Sequence, residues 1–325
     1  MKKSQFISLG ILLIAVTIFI IVGAFGRGDK DPVVHVTPTP TPSATTQPLE
    51  TPTPTNEDVT PTPSPTPTPE RTPVVFPTVD KGYVSSQSTE TTTWYWGVLK
   101  DENGIEYPTF NQQLNKFVDG FDYVFTNKID GKKVVTLTFN EGWDDKDNRT
   151  VEILNILKEE GVKATFFLTK EYMNVEANHD VIRRMHAEGH QLGTRGSVSR
   201  QLQSLSVDDA INELLSMEEK LQEILDDNTV RMVAYRHIES FSRRDLALVS
   251  ELGYKVVLWS YNYNDWGVLN VAEEQKAFNR MIDYMFNGTV FSFSASSVNN
   301  VNLLPKLIKE ARSQGFEFIQ IDTAN

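Results

Sequence analysis

VVTLTFNEGWDD, residues 134–145, opens as a run of apolar and β-branched residues and ends in a burst of carboxylates, an amide and a tryptophan. In an α/β protein the carboxyl end of a strand is where working side chains collect, so this stretch sets both a fold and a place to look for chemistry. Six more β-rich runs follow it: ATFFLT (164–169), HQLGT (190–194), RMVAY (231–235), KVVLW (255–259), TVFSFS (289–294) and FEFIQI (316–321). Between them the apolar residues fall at helical spacing, as in Ile211, Leu214, Leu215, Leu221, Ile224 and Leu225, and again in Leu304, Leu307, Ile308 and Ala311. Alternating strand and helix imply a parallel sheet with right-handed crossovers. About seven strands without a Gly-rich dinucleotide fingerprint favour a distorted (β/α) barrel over a doubly wound sheet.

The rest of the 325-residue chain frames this domain. MKKSQFISLGILLIAVTIFIIVGAFG begins with Lys2 and Lys3 and continues uncharged from Phe6 to Phe25, about the length that spans a bilayer. The charge asymmetry places the N-terminus in the cytoplasm and the remainder outside, with residues 1–31 as tip and transmembrane anchor. A cleaved signal peptide, leaving a secreted chain, is the alternative. Residues 32–78 are dominated by Thr-Pro repeats, which read as a disordered, extended spacer. Residues 79–131 carry Trp94, Tyr95, Trp96, Phe110, Phe117 and Phe121 with few clear periods, and are expected to wrap the domain at 132–325. The chain has no Cys, which excludes a disulfide framework and thiolate chemistry. Its net charge of −12 excludes the basic footprint of a nucleic-acid binder.

Reading off the strand ends gives Asn140, Glu141, Trp143 and Asp144, then Arg195 to Ser199, Arg236 to Glu239, Asn262 to Trp266, and Ser294. At these positions, and in ATFFLT, AEGHQLG, SFSRRDLALVSELGY, LWSYNYNDWGV and GFEFIQID, the sequence resembles the polysaccharide deacetylase family. This is the NodB homology domain of carbohydrate esterase family 4, and the resemblance is nearest to its muramic δ-lactam-forming peptidoglycan N-acetylmuramic acid deacetylase branch. It covers roughly residues 132 to 322. The resemblance implies a divalent metal such as zinc, an Asp as general base and a His as general acid. The base motif here reads Thr138, Phe139, Asn140, Glu141, Gly142, with an amide in place of the base. An amide takes no proton from water at neutral pH. The two metal-binding imidazoles correspond to Arg195 and Ser199, and the acid His to Ser294. Arg236 and Asp265 match family positions that are kept, and an ion pair between them is expected, as is one between Glu141 and Arg195. No catalytic residue and no metal site is retained on this reading, and no cofactor is expected.

Other residues offer weaker chemistry. His237 is a lone imidazole in a strand-end loop, a type more often packed or solvated than ligating. Asp144, Asp145 and Asp147 read as an acidic cap for a helix beginning near Asn148. Trp143 and Trp266 are candidates for stacking on sugar rings, although rim aromatics commonly just pack. The anchor, spacer, kept scaffold and lost site together favour a membrane-anchored, extracytoplasmic, inactive deacetylase-like protein that binds or regulates cell-wall glycan. An active peptidoglycan N-deacetylase with a relocated site is the alternative, and a protein-interaction module with an unknown partner is a third.

Overall fold

The computed structural model describes residues 72–142, 147–236, 240–265 and 267–321. The expected membrane-spanning segment and the spacer as far as residue 71 lie outside the described residues. So do Trp143, Asp144, Asp145, His237 and Trp266. By contacts the chain divides into Met1–Thr66 and Pro67–Asn325, and every described residue belongs to the second unit. Among the described residues no helix is long and apolar enough to cross a membrane.

The VVTLTF run folds as the strand β1, Val134–Asn140, with all seven residues buried. Burial on both faces is what a continuous apolar run in a parallel sheet predicts. Its threonines are compatible with that burial because each is satisfied. Thr138 Oγ1 donates to Phe291 O at 2.7 Å and Thr136 Oγ1 accepts from Asn127 Nδ2 at 2.8 Å. The remaining runs give β2 (Thr165–Leu168), β3 (Gln191–Thr194), β4 (Ala234–Arg236), β5 (Lys255–Val257), β6 (Thr289–Ser294) and β7 (Glu317–Phe318). Among the described residues the sheet order is β6-β1-β2-β3-β4-β5, with Tyr123–Val124 beyond β5 and β7 paired to the start of β1. All of these pairings are parallel.

The sheet curls until its ends meet. After β5 the chain bends so that Ser260 N donates to Val290 O and Ser292 N donates to Tyr261 O, making a parallel bridge between Tyr261 and Phe291. Thr126 adds an antiparallel bridge to Thr289. The parallel α/β architecture is therefore as the alternation predicts, whereas several strands are shorter than their apolar runs. In RMVAY only Ala234 and Tyr235 join the strand, because Met232 N–H is taken by the buried Glu218 carboxylate at 2.9 Å instead of a ladder partner. In KVVLW the last two residues leave the strand to make the closing bend.

Helices lie between the strands, and several are started by polar caps. Ser206 caps Val207–Leu225, Ser242 with Asp245 forms a capping box before Arg243–Glu251, and Asn270 with Glu273 does so before Val271–Asp283. Of the solvated acidic cap expected before the helix after β1, Arg149–Glu159, Asp144 and Asp145 lie outside the described residues. The helix is entered through Asn148 in the left-handed region (φ 56°), which makes no side-chain cap bond, and Asp147 is exposed.

Residues 79–131 supply a short helix (Lys81–Ser86), a hairpin of Trp96–Lys100 with Glu106–Phe110, and the strand Tyr123–Val124. Thr91–Thr93 pairs antiparallel with Ser240–Ser242. Contact with the domain begins earlier still, inside the segment assigned to the spacer. Val74 N donates to Asn228 O, and Arg231 lies over the Phe76 ring at 5.5 Å.

Candidate functional site at the carboxyl ends of the strands

Asn140, Arg195, Arg236, Asp265 and Ser294 come together around one small cavity of about 130 Å³, whose walls also include Trp259, Asn262 and Tyr263. Each reaches it because it ends or follows a strand of the curled sheet. Asn140 Nδ2 donates to Ser292 Oγ (3.0 Å) and Phe293 O (2.8 Å), fixing the amide, while its buried Oδ1 has no hydrogen-bond partner among the described residues. Arg236 Nη2 donates to Ser292 Oγ at 3.2 Å and the guanidinium lies 4.2 Å from the centre of the Trp259 ring.

The ion pair expected between Arg236 and Asp265 is not formed. Both Asp265 oxygens are taken from the other side by Ser294 N (2.7 Å), Ser294 Oγ (2.8 Å) and Asn300 Nδ2 (2.7 Å). The carboxylate is saturated by neutral donors, and the guanidinium of Arg236 does not reach it.

Glu141 does not line the cavity. It is 1% exposed and lies behind it, where Thr150 Oγ1 donates to both carboxylate oxygens at 3.2 Å. Arg195 meets this residue through the backbone, Nη1 donating to Glu141 O at 3.4 Å. Ser199 is separated from the cavity altogether. It is exposed, and its hydroxyl donates to Glu171 Oε1 at 2.7 Å.

Glu171 is the residue that reading strand ends missed. It stands in a short helix (Lys170–Asn174) directly after β2, and its carboxylate gathers the loop where the family's imidazoles would be. Ser197 Oγ, Ser199 Oγ, Ser199 N and Val198 N all donate to it. Burial pushes the carboxyl up, but the hydroxyls of Ser197 and Ser199 and the Val198 N–H outweigh this and hold it at about 2. The signal in the sequence was a carboxylate three residues beyond an apolar run, facing a serine-rich loop.

Because the folded-state pKa is depressed, Glu171 contributes stability above the ordinary carboxylate value of 4.5, and that contribution is lost as pH falls toward about 2. With allowance for solvent screening of a half-exposed group it amounts to ~1–2 kcal/mol. Thermal midpoints of the parent chain and Glu171→Gln, measured from pH 6 to about pH 2, should converge at the acid end. A constant gap across that range would show that the carboxylate's charge contributes nothing. Burial also pushes His190 down to about 4, with Lys163 adding to the effect, but that group is common to both proteins.

These residues do not fit a catalytic divalent metal. The cavity offers the amides of Asn140 and Asn262, the second already engaged by Trp96, and one saturated carboxylate beside two guanidinium groups, and among the described residues no cluster of three His, Cys, Asp or Glu could hold an ion.

A curled sheet of parallel strands with polar side chains gathered at the strand ends places the chain among the (β/α)-barrel scaffolds, whose sites lie at that face. Residues 127–257 match the polysaccharide deacetylase family model. The chain is similar to the peptidoglycan-N-acetylmuramic acid deacetylase of Bacillus subtilis, with 28% identity over 228 residues, 70% of this chain and 84% of that protein. A 30.6 kDa protein of Geobacillus stearothermophilus is 29% identical over 229 residues, 70% of this chain and 83% of its own length. The solved structure of the B. subtilis enzyme, a family 4 carbohydrate esterase, superposes with a TM-score of 0.62 at 25% identity, covering 72% of this chain and 96% of that one.

Proposed function

We propose that this chain is a cell-wall polysaccharide deacetylase-like protein that binds peptidoglycan glycan without deacetylating it. In this proposal it is held outside the membrane by the apolar segment 6–25 and the Thr/Pro-rich tract. The observation that carries the reading is the cavity itself. An amide, Asn140, stands where the resemblance implies the base, Arg195 where it implies a metal ligand, and Ser294 where it implies the acid. None of the three is a general base or general acid at neutral pH, and none is the imidazole or carboxylate that a catalytic zinc takes. The cavity, at about 130 Å³, is also below the few hundred Å³ of ordinary ligand sites. Relatives named for peptidoglycan deacetylation support a cell-wall glycan as the ligand class.

The full-length chain, purified in detergent and mixed with peptidoglycan sacculi, should sediment with them and release no acetate above the buffer control. After dialysis against a weak chelator it should retain no zinc. Stoichiometric zinc, or acetate release that stops on adding the chelator, would overturn the inactive reading in favour of an enzyme.

A further inference from the structure

Beside the strand-end cavity lies a wider groove of about 630 Å³, and the two share Trp259, Asn262 and Tyr263 as a common wall. The outer wall comes from the N-terminal segment. Trp96, at the start of the hairpin, donates its indole Nε1–H to Asn262 Oδ1 at 2.7 Å, and its ring packs at 5.1 Å against both Tyr261 and Tyr284. The indole is thereby fixed before any ligand arrives. Next to it Tyr95 stands 69% exposed at the groove's edge, while Trp94 forms the floor against Trp259 with ring centroids 4.1 Å apart.

The polar groups of this groove are few. Exposed Asn264 lines one side. Arg280 lines the other, its guanidinium 5.6 Å from the Tyr284 ring centre and without an ion-pair partner among the described residues. It is the groove's one charged lining residue among those described, on a chain of net charge −12. A single cation among aromatic and amide groups favours a ligand that is largely neutral and brings a carboxylate to that point.

Rigid aromatic faces suit the C–H faces of pyranose rings, amides suit hydroxyl and acetamido groups, and a guanidinium suits a carboxylate. The volume lies in the range of sites that enclose a ligand, which the strand-end cavity does not reach. Resting on the cell-wall reading above, we propose that this groove is the binding site for an amino-sugar chain bearing carboxylates. One sugar ring lies against Tyr95 and Trp96, and a carboxylate meets Arg280. The strand-end cavity is then a small annex to the site.

The probes are soluble peptide-free peptidoglycan oligomers, which carry muramic carboxylates, and chitotetraose, which has none. Each is titrated into the full-length chain and followed by calorimetry. Tyr95→Ala should weaken both about tenfold, through loss of one stacking face. Arg280→Gln should weaken the peptidoglycan oligomers about tenfold and leave chitotetraose within about twofold, since only the former offers a charged partner. Both side chains are exposed, so thermal midpoints should stay put. If both variants bind like the parent while Arg195→Met abolishes binding, the glycan sits at the strand ends and the groove assignment falls, with the cell-wall reading intact. Equal weakening of both probes by Arg280→Gln would overturn the carboxylate contact. Failure of the unsubstituted chain to bind either oligomer or sacculi would sink the cell-wall reading itself.

Discussion

Asp265→Ala should lower the stability of the domain by about 3–5 kcal/mol, because it orphans three buried donors at once. Ser294 N–H, Ser294 O–H and one Asn300 N–H all end on this carboxylate, which is 4% exposed. The backbone around it is tied in as well, since Asp265 O accepts from Ser297 Oγ (2.8 Å) and Asn299 Nδ2 (3.2 Å). Asp265→Asn is the informative companion, because it keeps the shape but points N–H at N–H on one side. It should recover only part of the loss. Urea unfolding followed by tryptophan fluorescence measures both. A loss under ~1 kcal/mol for the alanine variant would mean that water replaces the carboxylate and that Asp265 is not what holds this side of the cavity together.

Gly193→Ala should be comparably damaging for a steric reason. A Cβ there would sit 2.7 Å from two ring carbons of Phe167 and 2.8 Å from the Ala234 carbonyl oxygen. Phe167 is fully buried and the carbonyl is backbone, so neither can retreat cheaply. The expected cost is about 3 kcal/mol or more, read as a drop in thermal midpoint or a loss of soluble protein. Gly97→Ala, whose Cβ would meet nothing within 4 Å, is the control and should be near neutral. Adding Phe167→Leu to Gly193→Ala removes the clashing ring and should recover part of the loss. A Gly193→Ala chain that melts with the parent would show that strands β2 and β3 have room the geometry denies.

The barrel strands were legible because a strand buried on both faces leaves an unbroken apolar run, and β1 is such a run with every residue inside. The strand Tyr123–Val124 was not, since two residues in an aromatic-rich segment carry no period, and only β5 beside them makes them a strand. The degenerate motif positions could be located by their order along the chain, and Asn140, Arg195, Arg236, Asp265 and Ser294 do meet. What the order could not reveal is direction. Glu141 and Ser199 belong to the same motifs yet turn away, one toward Thr150 and the other toward Glu171. Nor could it assign the partner of Asp265, which depends on Asn300 arriving from a later helix, Val298–Ser313. Trp94 and Trp96 were visible as anchors, but their shared groove exists only because Asn262 and Tyr284 come from the far end of the chain.

The bridges that close the barrel also set an order of events. Thr126 pairs with Thr289, so a residue made early is sealed by one made late, and the bridge of Tyr261 to Phe291 closes the same edge. Until β6 has been synthesised the sheet has an open edge, and β1 lacks the neighbour that runs along most of its length. Such distant pairing pays its loop-closure entropy before it gains contacts, which makes closure a late step of folding. The aromatic groove likewise depends on residues far along the chain, because Trp96 meets Asn262 and Tyr284 there. Competence to hold a ligand therefore arrives together with the finished fold, and whatever binds there holds the seam shut by mass action.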